Sequence, residues 1–392
     1  MRIAICCDPG IPSELLRDAL TVGKALIERE HSVAYVGDPV ALVDYAGGWT
    51  PNELYQAPVP RVFPPLVMRR PPENGLTDRF AVVGFDDKAT LITLATVWNR
   101  QLDTLKPDVI VGFYAPVLWL VGPAHAPTLA LGNGYSLPPV LGTSFPRLSV
   151  ESPPIADEER MLANANAVLA RLGQSSVAAL SEILDRCISI FYGVPAFDPY
   201  SYLRKTLSAG LLGDQPTPTA PPPKPRLVAL LDIGCPNIET IVLALVDVDQ
   251  TPVDVCVIGA TTGMMRYLGV QPNVKVWNEY AILLKQSATA GAIVHHGAQD
   301  VAQRCIAIGR PQLLIPWTRE QSLFAETVQW MGFTRYRNPT ASIEEIANAF
   351  REVLGDTSLT VAAQHHSRQL ADANLPDALP AIVERIERLG IT

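Results

Sequence analysis

Positive charge is scarce in this chain of 392 residues: 31 lysines and arginines stand against 39 aspartates and glutamates, a formal net charge of −8. A nucleic-acid partner usually needs a basic face, so none is expected. An anionic small molecule stays compatible, because a helix terminus binds phosphate with few lysines nearby. None of the six cysteines stands in a CxxC arrangement, and four fall inside apolar stretches, which is the pattern of buried reduced thiols. The start lacks a basic segment followed by an apolar core; Arg2–Cys6 reads instead as a strand with an acid at Asp8, so no signal peptide and a cytoplasmic location are expected. Between Asp108 and Arg147 there is no Asp, Glu, Lys or Arg, but Pro116, Gly122, Pro123 and Pro127 interrupt the run. No integral membrane segment is therefore expected. The stretch reads as a buried strand, a short helix and an apolar loop: ordinary core, or one wall of a pocket for a lipophilic molecule. No short internal repeat is visible, and the oligomeric state stays open.

What is present is a globular composition, 48% apolar, on a chain too long for one ordinary core. Strand and helix signals alternate throughout. In the first half Arg2–Cys6, Ser32–Val36, Val109–Gly112 and Thr128–Leu131 read as strands, with helices at Glu14–Arg29 (Ser13 as its N-cap) and Leu91–Leu105. In the second half the strands are Leu227–Leu231, Val253–Ile258, Val274–Trp277, Ile293–Val294 and Leu313–Ile315. Helices at Asn237–Val246, Val301–Ile308 and Leu323–Met331 lie between them, and Ser342–Leu354 and Ala381–Leu389 follow. Such alternation implies parallel sheets with right-handed crossovers. The segment Asp214–Pro225, DQPTPTAPPPKP, favours extended polyproline conformation. The expected organisation is an N-terminal domain over residues 1–213, a linker over 214–225 and a C-terminal domain over 226–375. A helix within 376–392 is expected to pack back on the first domain. The fold class is α/β: two Rossmann-like, doubly wound domains facing a cleft.

The segment Ala292–Gln321 carries most of the chemistry. It runs apolar strand, two histidines, Gly297, a helical stretch, Gly309, a second apolar strand, Pro316 and the pair Glu320–Gln321. Both polar turns leave strand carboxyl ends, where open parallel sheets bind ligands. The helix opening after Gly297 offers free N–H groups and a positive dipole end to an anion. A carboxylate beside an amide suits the vicinal hydroxyls of a sugar.

Taken in order, these residues resemble the GT-B glycosyltransferases, most nearly the bacterial family 1 type that uses UDP-activated sugars. The likeness rests on Trp277, on His296 with Gly297 and Ala298, on Gly309–Arg310–Pro311–Gln312–Leu313 and on Glu320–Gln321. Gly132–Asn133–Gly134–Tyr135 with Leu137–Pro138–Pro139, and Pro195–Ala196–Phe197–Asp198–Pro199–Tyr200, are similar to further segments of that family. The resemblance implies that His296 and the N–H groups at about Gln299–Val301 contact the donor's diphosphate. It also implies that Glu320 and Gln321 bind sugar hydroxyls and that Trp277 stacks on uracil.

The pattern departs from the family at three places. Ala298 stands where a second glycine is usual, and Val301 stands where a serine or threonine is usual. The base histidine of inverting members falls at Glu14, within Ser13–Glu14–Leu15–Leu16–Arg17. The candidates for a catalytic base are Glu14, Asp8 and Asp18. The expected activity is inverting transfer from a UDP-sugar to a small, lipophilic or aromatic acceptor. The UDP-sugar serves as co-substrate; no separate cofactor and no metal are expected, since no Asp-x-Asp pair lies in the matching segment. Two other readings share the architecture: a catalytically impaired member that binds a ligand or partner, and a UDP-sugar 2-epimerase.

Overall fold

The computed structural model describes residues 1–8, 10–45, 50–59, 74–148, 157–213, 216–248 and 251–391. Residues 214 and 215 of the expected linker lie outside the described residues. By internal contacts the chain divides into two units. Unit 1 comprises Met1–Gly213 with Pro376–Thr392, and unit 2 comprises Asp214–Leu375.

Unit 1 is built on a six-stranded sheet: β1 (Arg2–Cys7), β2 (Ser32–Gly37), β3 (Glu53–Gln56), β4 (Val109–Phe113), β5 (Thr128–Gly132) and β6 (Ile188–Phe191). The strand order is β3-β2-β1-β4-β5-β6 and every pairing is parallel. Parallel strands need cover on both faces, which is why β1 and β4 read as unbroken apolar runs. Alternation along β1 sends Ile3, Ile5 and Cys7 to one core and Ala4 and Cys6 to the other. The first core is covered by the helices Ser13–Glu28 and Ala378–Leu389, the second by Lys88–Leu105, Pro116–Val121 and Glu158–Arg171. The charge-free stretch after Asp108 supplies β4, β5 and the fully buried Leu118 and Trp119, so core packing accounts for its lack of charge.

Unit 2 repeats the plan with β7 (Leu227–Asp232), β8 (Val253–Ile258), β9 (Val274–Val276), β10 (Ala292–His295), β11 (Gln312–Leu314) and β12 (Thr334–Tyr336). Their order is β12-β11-β10-β7-β8-β9, again all parallel. Read from its own first strand, each unit has the order 3-2-1-4-5-6 of doubly wound dinucleotide folds. Helices Ile238–Val246 and Ile343–Gly355 cover one face, and Tyr280–Gln286 and Gln299–Ile308 the other. Among the described residues no helix is long and apolar enough to cross a membrane.

Several details differ from the expectations. Ser13 is the first helical residue and Pro12 is the cap: Leu15 and Leu16 donate to the Pro12 carbonyl, and no side chain caps that end. Proline supplies a fixed φ there and has no N–H to leave unpaired. Residues 216–225 group with unit 2. Arg310, almost fully buried, donates to the carbonyls of Thr219 and Ala220 and to the Thr219 hydroxyl, and also to Ala288 and Ile308. The chain re-enters unit 1 at Pro376, whose carbonyl accepts from Leu211 N–H at 2.8 Å; Ala378 N–H then donates to Leu211 O at 2.7 Å. Gly210 makes this junction possible. Its φ is +113°, and a Cβ there would overlap the Pro376 carbonyl. Gly210→Ala is expected to lower unfolding free energy by about 2 kcal/mol or more, read as a lower thermal midpoint; an unchanged midpoint would remove this role for the glycine.

Candidate active site

In doubly wound sheets the ligand crevice opens where strand order reverses, at the carboxyl ends of the first and fourth strands. In unit 2 that point lies between β7 and β10. Both histidines of the turn after β10 are buried there and both are fully engaged. His296 Nε2 accepts from the Asp232 N–H at 3.1 Å, so its Nδ1 carries the proton and donates to Ile315 O at 2.9 Å. His295 is the opposite tautomer. Its Nδ1 accepts from Gly297 N–H at 3.2 Å, and its Nε2 donates to Gln312 Oε1 at 2.8 Å. Burial lowers the pKa of His296 below the usual histidine value. The expected diphosphate contact thus belongs to a neutral ring whose two nitrogens already join the ends of β7, β10 and β11.

Gly297 turns the chain with φ +102°, and a Cβ on it would lie 3.3 Å from both Cβ and O of Gln321. The phosphate-type turn and the Glu–Gln turn are therefore in direct contact. Ala298 has φ −64° and ψ 126° and caps the helix Gln299–Ile308 without a side-chain hydrogen bond. Its negative φ explains why alanine replaces glycine here at no conformational cost. Val301 points into the core, so only its backbone remains to meet a ligand. Gln299 is half-buried at the opening turn.

After β11, Thr318 caps the helix Arg319–Gln329 in a capping box with Gln321. Gln321 Oε1 accepts from the N–H groups of Trp317 and Thr318 at 3.0 and 3.2 Å. That fixes the amide and leaves its Nε2 as the donor end. Glu320, buried in the first turn, sits where the dipole favours a negative charge. Sequence reasoning missed Trp317 and Gly234 at this end of the sheet. A Cβ on Gly234 would come within 3.5 Å of the Trp317 ring, so the glycine admits the indole beside the β7 turn. The only sequence signal was a glycine two residues beyond a strand end.

Trp277 is placed elsewhere. Its N–H bonds Val255 O at 2.8 Å, beside the middle of β8, and its Nε1 donates to Asp254 Oδ1 at 3.0 Å. Asp254 is also paired with Arg226, immediately before β7. The indole therefore reaches back toward the amino ends of the strands, and Lys275 Nζ lies 3.9 Å from its ring centre. The expected platform for uracil is not gathered with His296, Gly297, Glu320 and Gln321.

In unit 1 the corresponding point lies between β1 and β4. Asp8 follows β1 and is 3% exposed. By alternation it falls on the Cys6 face, toward Arg79 and the helix Pro116–Val121. Val117 N–H donates to its carboxylate, while Oδ2 is buried without a hydrogen-bond partner among the described residues. Burial raises the Asp8 pKa to about 7, against the lowering effects of Arg79 and Val117. Asp18 lies on the opposite face and accepts from Tyr192 Oη at 2.7 Å. Glu14, buried in the first turn of Ser13–Glu28, lies near that same Tyr192. The three candidate bases are thus divided between two faces of one sheet.

The two supporting segments of unit 1 meet through Asp198. Its carboxylate is bound by Arg204, which also donates to the carbonyls of Gly134 and Leu137. A Cβ on Gly134 would run into the Asp198 side chain. The pair is buried and its role is to join β5's following loop to the 195–204 segment. All six cysteines are buried free thiols.

No protein-family profile matches the chain, and no curated protein is similar to it in sequence. Solved structures do match it along its length. The spinosyn rhamnosyltransferase SpnG, complexed with spinosyn aglycone, covers 99% of this chain and 100% of its own, with a TM-score of 0.67 at 17% identity. The glycosyltransferase VinC in complex with DTDP covers 100% and 99%, with a TM-score of 0.60 at 16% identity. The glycosyltransferase SnogD from Streptomyces nogalater covers 99% of each chain, with a TM-score of 0.60 at 18% identity. With its two six-stranded parallel sheets, the chain has the GT-B fold of these glycosyltransferases.

The neighbouring residues of the β10 turn should respond oppositely to a change at Cβ. Gly297→Ala is expected to cost about 1–3 kcal/mol of stability. Ala298→Gly should stay within about 0.5 kcal/mol, since glycine serves at least as well as alanine at an N-cap. Denaturant titration of the two variants decides this, and equal effects would contradict the assigned conformations.

Proposed function

We propose that this chain transfers a sugar from a pyrimidine nucleoside diphosphate sugar to a hydroxyl of a small lipophilic acceptor, with inversion at the anomeric carbon and the nucleoside diphosphate leaving. The observation that carries this reading is the contact of Gly297 with Gln321. It puts an uncapped helix start, suited to a diphosphate, beside a carboxylate and an amide donor suited to sugar hydroxyls. The N–H groups opening the helix Gln299–Ile308 receive the diphosphate, and Glu320 and Gln321 Nε2 hold the sugar. His296 braces that turn through Asp232 and Ile315. The resemblance in sequence implies UDP as the nucleotide, while the bound nucleotide of VinC is DTDP; both carry the diphosphate that this site would take.

Of the three candidate bases, the geometry favours Asp8. Asp18 is committed to Tyr192, and Glu14 lies in the same group on that face. Asp8 has an oxygen without a partner among the described residues and a pKa of about 7, suited to accept a proton near neutrality. In the reaction the acceptor oxygen bonds to the anomeric carbon as Asp8 takes its proton. The bond from that carbon to the diphosphate breaks, and the diphosphate leaves with the electron pair. Its developing charge is met by backbone N–H groups already in place.

One arrangement favours a second reading, in which the chain binds a nucleotide sugar without transferring it. Both nitrogens of His296 are occupied, and Val301 offers no hydroxyl.

Titration calorimetry with UDP and dTDP tests the donor site, and an absence of heat for both at millimolar ligand sinks the proposal. Glu320→Ala and Gln321→Ala are expected to weaken donor-sugar use, each by about tenfold, through one lost hydrogen bond. Asp8→Asn should lower kcat by about 10²–10⁴-fold with nucleotide affinity unchanged. In the unaltered protein kcat/KM should rise with pH through an apparent value of about 7, because the base acts only when ionised. Nucleotide-sugar binding with no turnover of any acceptor would favour the second reading.

A further inference from the structure

Asp8 is a buried acid held between opposing influences, and the residue that opposes burial is Arg79. Arg79 is 2% exposed and lies on the helix Leu76–Phe80. That helix is fixed at its start: Asn74 N–H donates to Asp78 Oδ2 at 2.8 Å, and Arg79 N–H to Gly75 O at 3.3 Å. Gly75 has φ +133° and packs against Pro146 O. The Arg79 guanidinium carbon stands 4.8 Å from the ring centre of Tyr114, the residue after β4. Tyr114 is itself in the left-handed region, with φ 47°, a conformation that bulky side chains avoid unless the surroundings impose it. A strained aromatic residue at the strand-order reversal thus forms the surface on which the arginine lies.

Among the described residues, Arg79 is the cation whose charge acts on Asp8. The helix Pro116–Val121 contributes the Val117 N–H and no ionisable side chain. Cys6 and Cys7, on its own strand, are held as neutral thiols by burial. Tyr114, just after β4, lies in the core on the Cys6 side of the sheet, and Glu14, Asp18 and Tyr192 gather on the other face.

We propose that Arg79 is a positioning residue for the base: spread over the Tyr114 ring, it keeps the Asp8 carboxylate ionised inside the core while Oδ2 stays free to take a proton. This rests on the assignment of Asp8 above. Without the cation, a carboxyl in this setting takes up a proton and stops acting as a base at neutral pH, because a nearby opposite charge is what favours its ionised form.

The test is the carboxyl ¹³C titration of Asp8 in the ligand-free protein, identified by the signal lost in Asp8→Asn, together with the pH profile of kcat/KM. In Arg79→Gln the Asp8 titration should move up by about one to three pH units. The acid limb of kcat/KM should move with it. Activity should fall at pH 7, recover toward the unaltered level in alkali, and leave nucleotide affinity unchanged. A titration that stays in place, or a loss of kcat/KM equal at every pH, overturns the proposal. If Asp8→Asn keeps its turnover, the base assignment fails by itself, and the ¹³C titration still reports whether Arg79 governs Asp8. Should Arg79→Gln not fold, the double variant Asp8→Asn/Arg79→Gln should fold, because it buries no lone charge. Failure of both to fold would make Arg79 a packing residue and overturn the proposal.

Discussion

A parallel strand must be covered on both faces, and most of this molecule follows from that constraint. Its backbone groups pair sideways and its side chains enter two cores, so neither face of the sheet is open to a ligand. What remains are the strand ends. Each crossover returns over the sheet and enters the next strand from the same end, so the loops at the carboxyl ends face one way. Asp8, Tyr114, Asp232, His296, Gly297, Trp317 and Gln321 all lie at or just beyond such ends. Their distribution is a consequence of how a doubly wound sheet is closed, before any chemistry is asked of it.

The two points of strand reversal are finished in different ways. In unit 2 the histidines and Gln321 engage their neighbours fully at the ring nitrogens and the amide oxygen, while the Trp317 indole N–H has no partner among the described residues. Two neutral histidines of opposite tautomer use all four ring nitrogens, and the Gln321 carbonyl closes a capping box. Such a network holds its turns in one geometry. In unit 1 an acid is buried with one oxygen unmatched among the described residues, beside an arginine that lies on a strained tyrosine. Buried polar atoms without partners are uncommon in folded proteins and call for an explanation. Under the proposed function the first arrangement holds the donor and the second moves the proton.

Long strands such as β4 and β7 were plain in the sequence because burial on both faces writes them as continuous apolar runs. The edge strands β3 and β12 were not, since ELYQ and TRY are short and half polar. Helices were legible by their spacing, though their first turns were not: Gln299 and Arg319 open their helices on polar residues that read as loop. Within the site, Gly297, Glu320 and Gln321 were found as types in an expected order. Their contact was not, because it joins two turns across a helix and a strand. Trp277 was misplaced because an aromatic residue after a strand carries no sign of which end its ring seeks. Here Asp254 draws it backward. Arg79 gave no signal at all, as nothing in sequence links it to an acid seventy-one positions earlier.

The re-entry of residues 376–392 into unit 1 bears on the order in which the molecule can be made. Ala378, Ile382, Val383 and Ile386 complete the core under β1, together with Leu16, Ala19 and Leu20 of the first helix. A ribosome therefore releases the first unit with an apolar face still bare. It must then make all of unit 2, a contiguous stretch that can close on itself, before the missing helix emerges. The usual vectorial order, N-terminal domain first, is inverted for the last step of this chain. During that interval the face of the first helix that bears Leu16, Ala19 and Leu20 lacks the cover that Ile382 and Ile386 later give it.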